Sequence, residues 1–236
     1  MKAYYDIAQG SAEWFQLRRG IPTSSMFHNI VTPVTGKLSK SADRYAYMLL
    51  AERLLNEPME SVSDQEWMER GKDLEPQAVK QYEWVNEVET IPVGFITTDD
   101  GLFGCSPDRL VKDAAVGVEI KCPAPHNHVR YLLEGTHAEC RPQVQGQLLV
   151  AELELVHLYS YHPRMPAALI QTPRDEPYIK LLSDALDQFA ERLAEMEALA
   201  RSLGVFQAAA EARTPAEIER AGELRGELLD QYGIPP

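Results

Sequence analysis

The spacing of apolar residues changes twice along this chain, and that change restricts the fold more than any other feature. From Ser41 to Leu55 the residues Tyr45, Met48, Leu49 and Leu55 recur at helical spacing until Asn56-Glu57-Pro58 halts the pattern. The stretch from Asp64 to Val88 is again helical in character. Gly71 and Pro76 interrupt it, which predicts two helices or a kink, with Pro76 in the first turn of the second piece and Glu75 at or near a helix start. Between Ile91 and Pro123 the period shortens. Val93-Gly94-Phe95-Ile96, Leu102-Phe103-Gly104, Leu110-Val111 and Val116 to Ile120 are β-type runs separated by turn signals, an antiparallel meander.

Helical spacing then returns. Gln143 to Glu154 reads as a helix, Leu155 to Tyr161 and Ala167 to Gln171 as two more strands, and Pro177 opens a long helix ending near Gly204. Tyr178, Leu182, Leu186, Phe189, Leu193 and Met196 form its buried stripe. Strands flanked on both sides by helices predict an α/β or α+β core. No linker or repeat divides the chain, so residues 1–204 are expected to form one domain and 205–236 a helical C-terminal tail.

Composition removes several function classes. The 236 residues, 44% of them hydrophobic, suffice for a substantial core. Neither a signal-peptide run nor a bilayer-length apolar stretch is present, which places the chain in the cytoplasm, away from membranes. Cys105, Cys122 and Cys140 are too few and too irregular for a disulfide framework or a four-thiolate metal site. His126, His128 and His137 near Cys122 match no structural zinc spacing, and Pro123 and Pro125 suggest a loop there. The net charge of -13 argues at first against a polyanionic partner. Residues 174–236 carry 13 acidic against 7 basic groups, however, so nearly half the excess lies in a region that need not face a ligand. Arg18, Arg19, Lys37, Lys40, Arg44, Arg70 and Lys72 are candidates for a basic lining.

The chemistry centres on Cys105-Ser106-Pro107-Asp108, a turn, and Val118-Glu119-Ile120-Lys121. Side chains alternate across a strand, so Glu119 and Lys121 share one face while Ile120 points into the core. If the segments around Lys112-Asp113 pair as a hairpin, Asp108 comes alongside Glu119, giving two carboxylates able to share a hard cation. A bound Mg²⁺ would remove their repulsion, polarise a phosphoryl oxygen and acidify a coordinated water, which are the needs of phosphodiester hydrolysis. Lys121 could orient or deprotonate that water, or stabilise the pentacoordinate charge. The pattern Pro-Asp…Glu-x-Lys alone is weakly specific. Its weight comes from company in a fixed order: Leu17-Arg18-Arg19-Gly20 with Ser25, Gly71-Lys72-Asp73-Leu74-Glu75-Pro76, the two segments above, and Gln143-Val144-Gln145.

With these motifs the sequence resembles the lambda-exonuclease family of phage-type recombination nucleases, a branch of the restriction-endonuclease-like superfamily, from about Trp14 to the strand near Tyr161. The resemblance implies a restriction-endonuclease-like core with a central mixed sheet flanked by helices. It implies that Asp108, Glu119 and the backbone carbonyl of Ile120 bind Mg²⁺, with Mn²⁺ as a substitute, that Glu75 supports the site, and that Lys121 serves the attacking water. It places a terminal 5′-phosphate on Arg18, Ser25, Ser106 and Gln143, and a strand-separating wedge at Met68. Further implications are 5′→3′ resection of double-stranded DNA, a ring of three subunits, a single-strand annealing partner, and a phage or prophage origin in a bacterial host. The family's basic loop is replaced here by Pro33-Val34-Thr35-Gly36-Lys37, leaving Lys37 as the nearest substitute. Gly71-Lys72 is not a P-loop, so no nucleotide cofactor is expected. Two other readings use the same residues: a structure-selective endonuclease, and a catalytically silent DNA-end-binding subunit.

Overall fold

A computed structural model describes residues 1–58, 65–135 and 138–206, with the side chains of residues 65–69 and 72 outside the description. The element order is β1 (Lys2–Tyr4), α1 (Ala12–Arg18), a 3-10 turn (Ser24–Asn29), α2 (Ala42–Leu55), α3 (Gln65–Asn86), β2 (Thr90–Ile91), β3 (Phe95–Thr97), β4 (Gly104–Cys105) and β5 (Arg109–Val111). It continues with β6 (Val116–Lys121), α4 (Pro125–Glu134), a 3-10 turn (Ala138–Cys140), α5 (Arg141–Val150), β7 (Leu155–Ser160), β8 (Ala168–Pro173) and α6 (Glu176–Ser202).

The short β runs do not form one meander. They divide between a three-stranded sheet of order β1-β3-β4 and a five-stranded sheet of order β2-β5-β6-β7-β8. The hairpin around Lys112-Asp113 forms as expected, with Arg109 opposite Val118 and Leu110 opposite Gly117. Beyond it β6 pairs in parallel with β7, and β7 pairs antiparallel with β8, so the larger sheet is mixed. The parallel step needs a crossover, and α4 and α5 supply it.

Helices cover both faces of this sheet. Val118 and Ile120 of β6 and Tyr159 of β7 pack with Tyr161 beyond it against Ala78 and Tyr82 of α3. On the other side Val144 and Leu148 of α5 and Val156 of β7 join the α6 stripe, Tyr178 through Met196, and Tyr45 and Leu49 of α2 in the main core. Partly buried Val205 and Phe206 close the end of that core, and residues 207–236 of the expected tail lie outside the described residues.

Two proline-based expectations need correction. α3 runs unbroken from Gln65 to Asn86 with Pro76 inside it, so Glu75 sits mid-helix and not at a helix start. Packing of Leu74, Ala78 and Tyr82 on the sheet outweighs the one hydrogen bond that Pro76 forfeits. Pro125, read as part of a loop, occupies the first turn of α4, where no N–H is required. Among the described residues no helix is long and apolar enough to cross a membrane.

Candidate active site

Strand alternation on β6 produces the expected division of labour. Val118 and Ile120 face α3, while Glu119 and Lys121 face α5. Glu119 is only 4% exposed, and a charge that deep persists only if its oxygens are hydrogen-bonded. They are: Oε1 accepts from Lys121 Nζ at 2.6 Å and from Gln143 Nε2 at 2.7 Å, and Oε2 accepts from Gln147 Nε2 at 2.5 Å. Lys121 Nζ also donates to Gln143 Oε1 at 3.1 Å, which closes a ring of three side chains.

Asp108 arrives from the residue just before β5. Its Oδ2 accepts from the Ile120 backbone N–H at 2.6 Å, where the β5–β6 ladder has run out. The N–H and C=O of one strand residue point to the same side, so the Ile120 carbonyl also faces the Asp108 edge. Upstream, Gln9 Nε2 donates to the Pro107 carbonyl at 2.9 Å and to the Val93 carbonyl at 2.9 Å, fixing the turn that carries Asp108. Burial raises the Asp108 carboxyl well above the usual carboxylate range and the charge of Glu119 raises it further; Lys121 and the Ile120 N–H oppose both, and Glu75 on α3 adds to the rise. Glu75 is therefore within electrostatic reach of the pair. For Lys121, burial disfavours the ammonium, but the charges of Glu119 and Asp108 and the hydrogen bond to Glu119 outweigh it and raise its pKa.

Two neighbouring carboxylates, Glu119 raising the proton affinity of Asp108, with a backbone carbonyl on the same edge, form an all-oxygen donor set suited to a hard divalent cation. Among the described residues no group of three or more His, Cys, Asp or Glu side chains is gathered to hold a metal ion. An ion at Asp108 and Glu119 would complete its shell with the Ile120 carbonyl, water and substrate oxygens, as Mg²⁺ commonly does.

The expected phosphate-binding residues fall into two places. The Arg18 guanidinium lies 3.7 Å from the centroid of the Trp14 ring and donates to Thr23 Oγ1 at 3.3 Å. The charge of Glu52 also acts on it. Burial lowers its pKa to about 10, which leaves it a cation at neutral pH. Thr23 Oγ1 in turn meets Ser25 Oγ at 3.3 Å, and Trp14 Nε1 donates to Ser106 Oγ at 3.2 Å. Arg18, Ser25 and Ser106 thus surround Trp14 and Thr23, with Ser106 two residues from Asp108. Gln143 is instead tied to Glu119 and Lys121. Met68 lies on α3 with its side chain outside the described residues. Lys37 is exposed.

Sequence reasoning missed Gln9, Trp14, Thr23 and Gln147. Gln147 had a signal, being four residues after Gln143 and so on the same helical face. Gln9 and Trp14 make hydrogen bonds to residues far away in sequence, which no local pattern shows, whereas Thr23 lies within five residues of both Arg18 and Ser25. Of the histidines set aside above, His128 is buried and satisfied, its Nδ1 meeting Ser160 Oγ at 2.8 Å and its Nε2 the Pro166 carbonyl at 2.9 Å; His137 lies outside the described residues.

Residues 13–154 match the family of YqaJ-like viral recombinase domains. Among solved structures the chain is similar to an alkaline exonuclease from Laribacter hongkongensis, 29% identical, with a TM-score of 0.72 over 81% of this chain and 97% of that one. The same enzyme in complex with dAMP gives a TM-score of 0.73 over the same shares. A phage-related exonuclease from Haemophilus somnus 129PT, 14% identical, covers 75% of this chain and 96% of its own with a TM-score of 0.58, a likeness of fold alone. No curated protein matches the sequence. The mixed sheet with helices on both faces is the restriction-endonuclease-like core that the sequence predicts.

Proposed function

Because the chain belongs to the family of YqaJ-like viral recombinase domains, we propose that it is a nuclease acting on DNA, and more specifically a Mg²⁺-dependent 5′→3′ exonuclease on double-stranded ends. The observation that carries this reading is the meeting of Asp108 with Glu119 and Lys121 at the open end of the β5–β6 ladder. A relative 29% identical to this chain is an alkaline exonuclease crystallised with dAMP, a deoxynucleoside monophosphate of the kind that exonucleolytic cleavage releases.

In this reading Asp108, Glu119 and the Ile120 carbonyl hold the ion, and Glu75 adds negative potential beside them. When bound, Mg²⁺ would polarise the scissile phosphate and acidify water. Lys121 enters as an ammonium, so its part is to donate a hydrogen bond that orients the nucleophile or steadies charge on the phosphoryl oxygens. Arg18, stacked on Trp14 with Ser25 and Ser106 nearby, receives the terminal 5′-phosphate, a permanent cation with neutral donors around it. Gln143 holds Glu119 and Lys121 in place and faces the phosphate from that side. The ring of three subunits, the annealing partner and the phage-type setting belong to the same reading.

Linear 5′-phosphorylated duplex, its 5′-hydroxyl counterpart and closed circular duplex, each with Mg²⁺ or EDTA, test it. The expected outcome is Mg²⁺-dependent release of mononucleotides from the phosphorylated linear duplex, with the circle intact. Cutting of the circle would make the enzyme an endonuclease. DNA binding with no degradation in any condition would overturn the nuclease assignment, and sedimentation of the free protein tests the trimer.

A further inference from the structure

α5 carries three glutamines whose amides differ in how they are used. Gln145, 2% exposed, is satisfied at both ends: its Nε2 donates to the Pro173 carbonyl at 3.0 Å and its Oε1 accepts from the Asp175 N–H at 2.9 Å. It ties α5 to the start of α6 and serves the fold. Gln143, partly buried, donates to Glu119 Oε1 and accepts from Lys121. Gln147 is fully buried, donates to Glu119 Oε2 at 2.5 Å, and leaves its own Oε1 buried without a hydrogen-bond partner.

Gln147 satisfies one oxygen of the buried Glu119 carboxylate and leaves its own carbonyl oxygen orphaned in exchange, an arrangement that is rare in protein interiors. The side chain also has a geometric effect. Lys121 and Gln143 both bind Oε1 of Glu119, and donors on a single oxygen leave the carboxylate able to turn about its last bond. A donor on Oε2 fixes the plane.

We propose that Gln147 is a positioning residue for Glu119, holding its carboxylate in the orientation that shares a divalent cation with Asp108. This rests on the nuclease reading above. Gln147 keeps an unsatisfied oxygen in the interior because the nitrogen of the same amide orients a metal ligand. Groups that orient ligands through hydrogen bonds alter ion affinity by about ten- to a hundredfold when removed.

The test uses the full chain, with Gln147→Met and Gln147→Asn as variants and Gln145→Met as a control. Four quantities are measured: the melting temperature in EDTA, duplex-end binding in EDTA, Ca²⁺ affinity by calorimetry, and the Mg²⁺ concentration giving half-maximal DNA degradation. For both Gln147 variants the expected result is a folded, DNA-binding protein whose Ca²⁺ affinity is about ten- to a hundredfold weaker and whose Mg²⁺ requirement rises in parallel. Gln145→Met is expected to do the reverse, lowering the melting temperature while Ca²⁺ affinity holds. Unchanged Ca²⁺ affinity in a folded Gln147 variant overturns the proposal, and so does loss of the melting transition in both, which would assign Gln147 to the fold. If the unsubstituted protein takes up no Ca²⁺ and degrades no DNA with Mg²⁺, the nuclease reading itself has failed, a result distinct from the other two.

Discussion

Asp108 Oδ2 accepts the Ile120 N–H at 2.6 Å, so the carboxylate is latched to the strand that carries Glu119 and Lys121 on either side of that amide. The latch replaces a missing rung of the β5–β6 ladder and brings the Asp108 carboxylate within electrostatic reach of Glu119. Burial raises the pKa of Asp108 and the neighbouring charge of Glu119 raises it further, so the ionised carboxylate is disfavoured here. Asp108→Asn keeps an oxygen for the latch and removes one charge. Its melting temperature in EDTA should rise by about 2–4 °C per kcal/mol of repulsion relieved. Turnover should fall more than about a thousandfold, since a ligand to a Lewis acid contributes several kcal/mol to the transition state. A variant that is both cooler-melting and fully active would remove Asp108 from the ion site.

The Arg18 guanidinium lies over the Trp14 ring and donates to Thr23, and the N–H of the same indole donates to Ser106. If this surface receives the terminal phosphate, Arg18→Ala should lose roughly ten- to a hundredfold in kcat/KM on 5′-phosphorylated ends, the worth of a charge-assisted hydrogen bond. Ends bearing a 5′-hydroxyl should be little affected. Arg18→Lys should rescue poorly, because an ammonium neither stacks on the indole nor presents a fork. Steady-state rates on matched duplexes decide the matter, and an equal loss on both kinds of end would exclude the pocket.

Much of this was legible in the sequence because it depends on strict local periods. The two-residue alternation puts Glu119 and Lys121 on one face, and the helical stripe from Tyr178 to Met196 needs only the spacing of its apolar residues. What was not legible depends on tertiary packing. Pro76 marks a helix break by local rules, yet Leu74, Ala78 and Tyr82 are anchored on β6 and β7 and carry the helix through it. Pro125 marks a loop until the turn after it is seen to be helical. Trp14 and Ser106 are 92 residues apart in sequence, and no window spans the bond between them. Gln143 was expected at the phosphate from the family resemblance, and its hydrogen bonds to Glu119 and Lys121 are tertiary contacts that no local period shows.

The close approach of α5 to the Ser24–Asn29 turn gives a third prediction. Gly146 lies between Gln145 and Gln147, and a Cβ there would come 2.5 Å from Phe27 Cδ2 and 3.1 Å from Ser24 Cβ. Glycine in a helix interior costs about 1 kcal/mol against alanine, so its presence reflects this contact. Gly146→Ala should therefore destabilise by about 1–3 kcal/mol despite its better helix propensity. It should also weaken Ca²⁺ binding, because pushing α5 outward withdraws Gln143 and Gln147 from Glu119. Denaturant unfolding and calorimetry on the one variant check both effects; a gain in stability would show that Phe27 yields freely.

Asp175 provides a pH-dependent prediction away from the site. Its Oδ1 caps α6 by accepting from the Tyr178 N–H at 3.2 Å, and its Oδ2 accepts from Arg141, whose guanidinium lies 4.1 Å from the Tyr178 ring centroid. The hydrogen bond from Arg141 lowers the carboxyl's pKa against the opposing effect of desolvation, aided by the Tyr178 N–H and the charge of Arg141. A folded pKa below the unfolded value of about 3.9 means that the stabilisation is fully present above that pH and is lost as pH falls through the folded value. Asp175→Asn retains a capping oxygen and loses the ion pair. The melting temperatures of the two proteins should differ most near neutrality and converge below about pH 3. Both side chains are about a third exposed, so the gap should be small and should narrow further in high salt. Melts from neutral to acidic pH at two salt concentrations measure it, and a gap independent of pH would show that Arg141 contributes nothing through its charge.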